Sequence, residues 1–230
     1  MSEIIFLQVG QCGNQIGWKF WENALEEQQK YTQIAPNDTS YTSFFEIGDK
    51  GSFAKINSVR ARAVLIDSET NVTNQLQRSK IGSIFRGCSV SVDSGGAGNN
   101  WAVGYHERGP EQGESVLERI RHLAEHCNRL DSFFMLYSLG GGTGSGFGSY
   151  VLESVAQEYP KTWKMATVVA PTDNDSQVIT APYNAALSMS HLCQYADCIF
   201  PVENSALQRF VPLISKIRKI MLRERGLLIK

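Results

Sequence analysis

Net charge is almost absent from this chain. Its 230 residues carry 22 basic and 23 acidic side chains, a net of −1 at neutral pH, so no global field points to nucleic acid or to an anionic membrane. No apolar run approaches the ~18 residues that a membrane helix needs. The N-terminus, MSEIIFLQVGQ, has no basic segment ahead of a long apolar one, which argues against a signal peptide. Cysteine is scarce: five residues, at 12, 88, 127, 193 and 198, odd in number and never spaced C-x-x-C. That excludes a disulfide framework and points to a reducing, cytoplasmic compartment. Metal-ligand spacing is thin as well. His122 and His126 lie at i, i+4, a chelating spacing, but no third ligand is close in sequence, so an ordinary surface or core pair is expected. Cys193 and Cys198 read as packed or idle thiols.

What is present is an alternation of short apolar runs and helical periods. Ile4–Val9, Ala63–Ile66, Phe133–Leu139, Met165–Ala170 and Cys198–Val202 are continuous apolar stretches, the pattern of strands covered on both faces of a parallel sheet. Between them, Val116, Ile120, Leu123 and Cys127 fall at helical spacing. So do Ala185, Met189, Leu192 and Ala196; Phe147, Val151 and Val155; and Ile16, Phe20 and Ala24. This alternation predicts an α/β fold, a Rossmann-like parallel sheet with helices on both faces. Residues 31–60 are polar and broken by Pro36, Gly48 and Gly51, and are expected to form a long loop. The last stretch, Leu207 to Met221, has helical period with a basic opposite face. Such a run is a solvated helix face or a surface for an acidic partner.

Three glycine clusters carry the chemistry: Gly10 to Gly17 where the first strand ends, Gly95 to Asn100, and Gly140 to Gly146 after the strand ending at Leu139. Strand-to-helix turns of a parallel sheet gather along one edge, where ligands bind. Helix N-termini there present unpaired N–H groups and the positive end of a dipole. Glycine lets backbone approach phosphate oxygens. A phosphate cradle follows from three such turns on one edge. It is not a Walker A loop, because no lysine follows the last glycine, and the first cluster does not match G-x-G-x-x-G. Asp67 and Glu69, at i, i+2 after a buried strand, are a pair that could hold a Mg²⁺-bound water beside phosphates or simply a solvated loop pair.

At this point the residues resemble a known family. GQCGNQIG at 10–17 followed by Phe20-Trp21-Glu22, and GGGTGSG at 140–146, are similar to the signature turns of tubulins. Ala97 to Ala102 and Pro182-Tyr183-Asn184 resemble further tubulin strings, in the right order from residue 3 to about 207. Within that family, Ala61 to Asp67, Ala124 to Cys127, Ala196-Asp197-Cys198, Ser43-Phe44-Phe45 and Val178-Ile179-Thr180 most resemble the epsilon type.

The resemblance implies a domain that binds GTP or GDP with Mg²⁺. It implies that Gly10, Gln11, Cys12 and Gln15 sit beside phosphates and base. Asp67 and Glu69 would face the metal, directly or through water, and the γ-phosphate. Ala97, Gly98 and Asn99 would contact the γ-phosphate, while Ser138, Gly141, Gly142, Thr143 and Gly144 cradle the α- and β-phosphates. Asn204 would hydrogen-bond guanine. Partners would be other tubulins or centriolar proteins, with no nucleic acid and no membrane, in the cytoplasmic cytoskeleton at a centrosome, centriole or basal body.

This sequence also departs from the pattern. Gln177 and Ala181 stand where alpha- and beta-tubulins carry acids near the ribose, and Asp173 and Asp175 are out of register. The resemblance fades after about Leu207. Residues 1–207 therefore read as the nucleotide-binding domain and 208–230 as a divergent basic helical tail, without the family's second domain and C-terminal helices. In tubulins the acid that completes hydrolysis comes from a neighbour's second domain, so this chain alone is not expected to be a competent GTPase. Two rival readings are a dinucleotide-dependent oxidoreductase and a nucleotide-free interaction fragment.

Overall fold

The computed structural model describes residues 2–34, 40–47, 59–85, 87, 89–91, 95–171 and 178–212. The chain runs through β1 (Glu3–Val9), α1 (Gly10–Ile34), β2 (Phe45–Ile47), β3 (Val59–Ala61), β4 (Ala63–Asp67), α2 (Asn71–Arg78) and β5 (Ser89–Ser91). It continues with α3 (Trp101–Val103), α4 (Gly109–Glu125), β6 (Leu130–Ser138), α5 (Gly148–Glu158), β7 (Trp163–Ala170), α6 (Ala181–Tyr195) and β8 (Cys198–Glu203). A helical segment over 204–212 follows; the boundary expected near 207 falls within it, and residues 213–230 lie outside the described residues.

Six strands form one sheet in the order β5-β4-β1-β6-β7-β8, and every pairing is parallel. The five expected strands are all present. The central strand β1 feeds both faces by alternation: Ile5, Leu7 and Val9 enter the core under α4, α5 and α6, while Phe6 enters a second core with Trp21 and Leu25 of α1. Val116, Ile120 and Leu123 on α4, and Val151 and Val155 on α5, are buried at the expected helical spacing. Each such fully buried side chain is worth roughly 1.5–3 kcal/mol. One ion pair is sealed at the foot of the sheet. Arg62 Nη2 lies 2.6 Å from Glu3 Oε1, both side chains nearly fully buried, and Glu3 Oε2 accepts from the Arg129 N–H.

Two expectations need correction. The stretch 31–60 is not a continuous loop: α1 reaches Ile34, and β2 and β3 pair antiparallel as Phe45↔Ala61, Glu46↔Arg60 and Ile47↔Val59. Strands of three residues are too short to display a period; Phe45 and Val59 anchor the ribbon in the second core. Ile16, Phe20 and Ala24 are not the centre of the buried face of α1, although Phe20 and Ala24 pack partly buried against the second core. Gly13, Gly17, Trp21 and Leu25 are buried instead, and Ile16 is exposed. Glycine counts as neutral in a hydrophobic pattern, yet here contact demands it. A Cβ on Gly13 would fall 2.0 Å from the Leu136 carbonyl oxygen of β6, so α1 lies directly on sheet backbone.

Candidate functional site

Helix α1, leaving β1, packs on one face of the sheet, and α5, leaving the neighbouring β6, packs on the other. Their diverging N-termini open a crevice at the carboxyl edge of the sheet, the place where ligands bind open α/β sheets. A cleft of about 440 Å³ fills it, within the ~300–1,000 Å³ range of small-molecule sites. Its walls include Gly10, Gln11, Cys12 and Gln15 from α1; Asp67 and Glu69 after β4; Asn99; and Ser138, Gly141, Gly142, Thr143 and Gly144 after β6. An adjoining cleft of about 180 Å³ shares Asn99, Ser138 and Gly141 and extends to Ala181 and Asn204. Twelve of the fifteen expected residues thus line one cleft, and Asn204 lines its extension. Ala97 is buried against Gly142 and Gly98 is exposed at the rim; both flank the cleft without lining it.

Several contacts hold these walls together. Asn14 Nδ2 donates to the Gly10 carbonyl at 2.9 Å and the Ile66 carbonyl at 3.2 Å, tying the first glycine turn to the end of β4. The hydroxyls of Ser68 and Thr143 are 2.7 Å apart, joining the acidic loop to the third turn. Gly10 takes φ +70°, and a Cβ there would approach the Gly144 nitrogen at 3.2 Å, so both glycine turns touch backbone to backbone. Helical geometry begins with a wide π turn, Thr143–Phe147, ahead of α5. N–H groups in a first turn have no intrahelical acceptor, which suits this turn to an anion.

Electrostatics at the other wall suit a cation. Asp67 is buried and Glu69 is exposed. Burial, with the Glu69 charge adding to it, pushes the Asp67 carboxyl up from its ordinary 3.8 to about 6, against backbone hydrogen bonds from Glu69 and Ser68 that favour the charged form. The Cys12 thiol is also pushed up by burial, so it lines the cleft as a neutral group rather than as a nucleophile. Two oxygen donors beside a turn of free first-turn N–H groups suit Mg²⁺, which keeps several waters and takes few protein ligands. Among the described residues no cluster of three or more metal-ligating side chains exists. His122 and His126 are an exposed pair with ring centroids 4.7 Å apart. No helix among the described residues is long and apolar enough to cross a membrane.

Sequence reasoning missed part of the wall. Asn71, Val72 and Gln75 of α2 line the cleft; α2 buries only Thr73 and Leu76, too little to mark a period. Asn184 is missed as a hub, although its string Pro182-Tyr183-Asn184 stood out. Of the positions near the expected ribose contacts, Asp173, Asp175 and Gln177 lie outside the described residues. Ala181 presents a buried methyl at the start of α6, on the adjoining cleft.

Comparison with known proteins agrees with this geometry. A model of the Tubulin/FtsZ family, GTPase domain, matches residues 3–212. The chain is 42% identical over 225 residues to the tubulin epsilon chain of Mus musculus, covering 94% of this chain and 46% of that protein. The tubulin epsilon chain of Homo sapiens is 41% identical over 225 residues, with the same coverage. The tubulin beta-1 chain of Homo sapiens is 39% identical over 207 residues, 90% of this chain and 46% of that protein. The chain thus spans about half the length of these relatives. Matched by that family model over nearly its whole length, the chain belongs to the Tubulin/FtsZ family and spans its GTPase domain.

Proposed function

We propose that this chain binds GTP or GDP with Mg²⁺ in the cleft between α1 and α5 and acts, through the nucleotide it holds, in contacts between tubulin-type subunits. The observation that carries the proposal is the convergence of the two glycine turns and the Asp67–Glu69 pair on one cleft. Gly141, Gly142, Thr143 and Gly144 cradle phosphates with first-turn N–H groups, and the Thr143 hydroxyl is already oriented by Ser68. Asp67 and Glu69 hold Mg²⁺, directly or through water, and the metal neutralises phosphate charge. Asn99 faces the terminal phosphate, flanked by Ala97 and Gly98. Ser138 joins the phosphate cradle, Gly10, Gln11, Cys12 and Gln15 stand beside phosphates and base, and Asn204 reads the guanine edge by hydrogen bonding from the adjoining cleft.

The relatives named tubulin epsilon chain support placing this chain among cytoskeletal proteins of that type, with other tubulins or centriolar proteins as partners and a role at centrioles or basal bodies. Residues 1–207 act as the nucleotide-binding unit. Hydrolysis is proposed only in an assembly, where a neighbouring subunit supplies an acid.

Titration of the purified chain with GTP, GDP and ATP, with and without Mg²⁺, tests the proposal. Guanine nucleotides should bind at least about tenfold tighter than ATP, a difference of about 1.4 kcal/mol. Thr143→Ala should weaken guanine-nucleotide binding by about tenfold, as expected for a hydrogen bond to a charged group. Unchanged affinity in Thr143→Ala, or equal affinity for ATP, rejects the reading.

A further inference from the structure

Buried Asn184, in the first turns of α6, uses both amide hydrogens and its carboxamide oxygen. Nδ2 donates to the Asn99 carbonyl at 2.8 Å and to the Gly140 carbonyl at 2.9 Å, and Oδ1 accepts from the Trp101 N–H at 2.9 Å. These partners belong to three segments distant in sequence: the 95–100 turn, the start of the third glycine turn, and the N-terminus of the helix running into α4. No other side chain of this size offers two donors and an acceptor. Asp would oppose both carbonyls, and Leu would leave the Gly140 carbonyl and the Trp101 N–H without this partner.

The 95–100 turn depends on such outside support. Asn99 holds φ +54°, a conformation uncommon outside glycine. Its carbonyl also accepts from Thr180 Oγ1 at 2.7 Å, and the Gly96 carbonyl accepts from Arg108 Nε at 3.1 Å. On the side facing the site, the turn meets both walls of the cleft. A Cβ on Gly142 would fall 2.6 Å from the Asn100 nitrogen and 2.7 Å from the Ala97 oxygen, and one on Gly96 would fall 2.5 Å from Glu69 Oε1. The turn therefore closes the end of the cleft where the acid pair stands, and α6 holds it there from behind.

We propose that Asn184 is a positioning residue that sets how strongly this site distinguishes a nucleoside triphosphate from a diphosphate, by pinning the 95–100 turn beside the acid pair. The inference rests on the guanine-nucleotide reading and deepens it. A diphosphate held by the 141–144 cradle makes little use of the turn. A third phosphate and its cation need the turn at a fixed distance from Glu69, and preorganised groups bind more tightly than groups that must be ordered.

The test compares wild type, Asn184→Asp and Thr180→Val, measuring affinity for a non-hydrolysable GTP analogue and for GDP with Mg²⁺ by calorimetric titration. Asn184→Asp should lower the triphosphate-to-diphosphate affinity ratio by about tenfold while GDP affinity stays within about threefold, the scale of one or two lost hydrogen bonds. Thr180→Val removes the second donor to the Asn99 carbonyl while leaving the three bonds of Asn184 in place, and should lower the same ratio by about threefold. A structural defect alone would weaken both nucleotides equally, and that result, or an unchanged ratio, overturns the inference. Where Asn184→Asp does not fold, the Thr180→Val ratio decides. A wild type that binds neither nucleotide sinks the guanine-nucleotide reading itself, whereas a wild type that binds both with the variants' ratio unaltered sinks only the role of Asn184.

Discussion

Asp67→Asn should make the ligand-free chain more stable and the metal-assisted site worse. Asp67 closes β4 almost without solvent contact, and burial is the main cause that lifts its carboxyl to about 6. A carboxyl whose folded value lies above its unfolded value binds protons more tightly when folded, so stability falls as pH rises through that window, here from 3.8 to about 6. Above the window the cost is complete, about 3 kcal/mol at ~1.4 kcal/mol for each tenfold change in proton affinity. Asparagine keeps the shape and the acceptor for the Glu69 N–H without the charge. Urea unfolding without nucleotide or metal should therefore show Asp67→Asn more stable than wild type by about 3 kcal/mol at pH 7.5. The gap should narrow to about half that at pH 5, where the wild-type carboxyl is mostly protonated when folded. Nucleotide titrations should show the opposite cost, a loss of the affinity gained from Mg²⁺. A variant no more stable at pH 7.5, a gap that does not narrow at pH 5, or an intact Mg²⁺ response would refute the reasoning.

Three further outcomes follow from named contacts. Glu3→Ala leaves the buried Arg62 guanidinium without its counter-charge and should cost about 3–5 kcal/mol, while Glu3→Leu combined with Arg62→Met should recover most of it; equal losses in the two proteins by urea unfolding would contradict this. Gly142→Ala places a methyl against the Asn100 nitrogen and Ala97 oxygen, displacing the 95–100 turn, and should weaken triphosphate binding by at least about tenfold, against a stability loss of about 1–3 kcal/mol. Gly13→Ala, with its methyl 2.0 Å from the Leu136 oxygen, should cost about 3 kcal/mol or more in thermal unfolding; a neutral result would mean α1 does not rest on the sheet backbone.

The strands were legible because burial on both faces writes continuous apolar runs, as in Ile4 to Val9 and Phe133 to Leu139. The three-residue strands β2, β3 and β5 were not, because pairing rather than composition defines them. On α1 the stripe was displaced because Gly13 and Gly17 occupy the face that touches the sheet, and a glycine contact carries no hydrophobic signal. The walls of the candidate cleft were legible wherever local backbone chemistry defines them, in the glycine turns and in the two carboxylates after β4. It was illegible where one side chain joins distant segments. Asn184 reaches partners 44, 83 and 85 residues away, and Ser68 meets Thr143 across 75. Such contacts exist only once the sheet order β4-β1-β6 has brought their loops to one edge.

The most direct test of the central claim is the nucleotide content of the chain purified in the presence of Mg²⁺. Denaturing the protein and separating the released small molecules against guanine and adenine standards reads it without any assumption about partners. The account predicts GTP or GDP at close to one equivalent per chain, with no adenine nucleotide. A preparation that circular dichroism shows to be folded, yet carries no nucleotide and takes none up from added GTP, would contradict it.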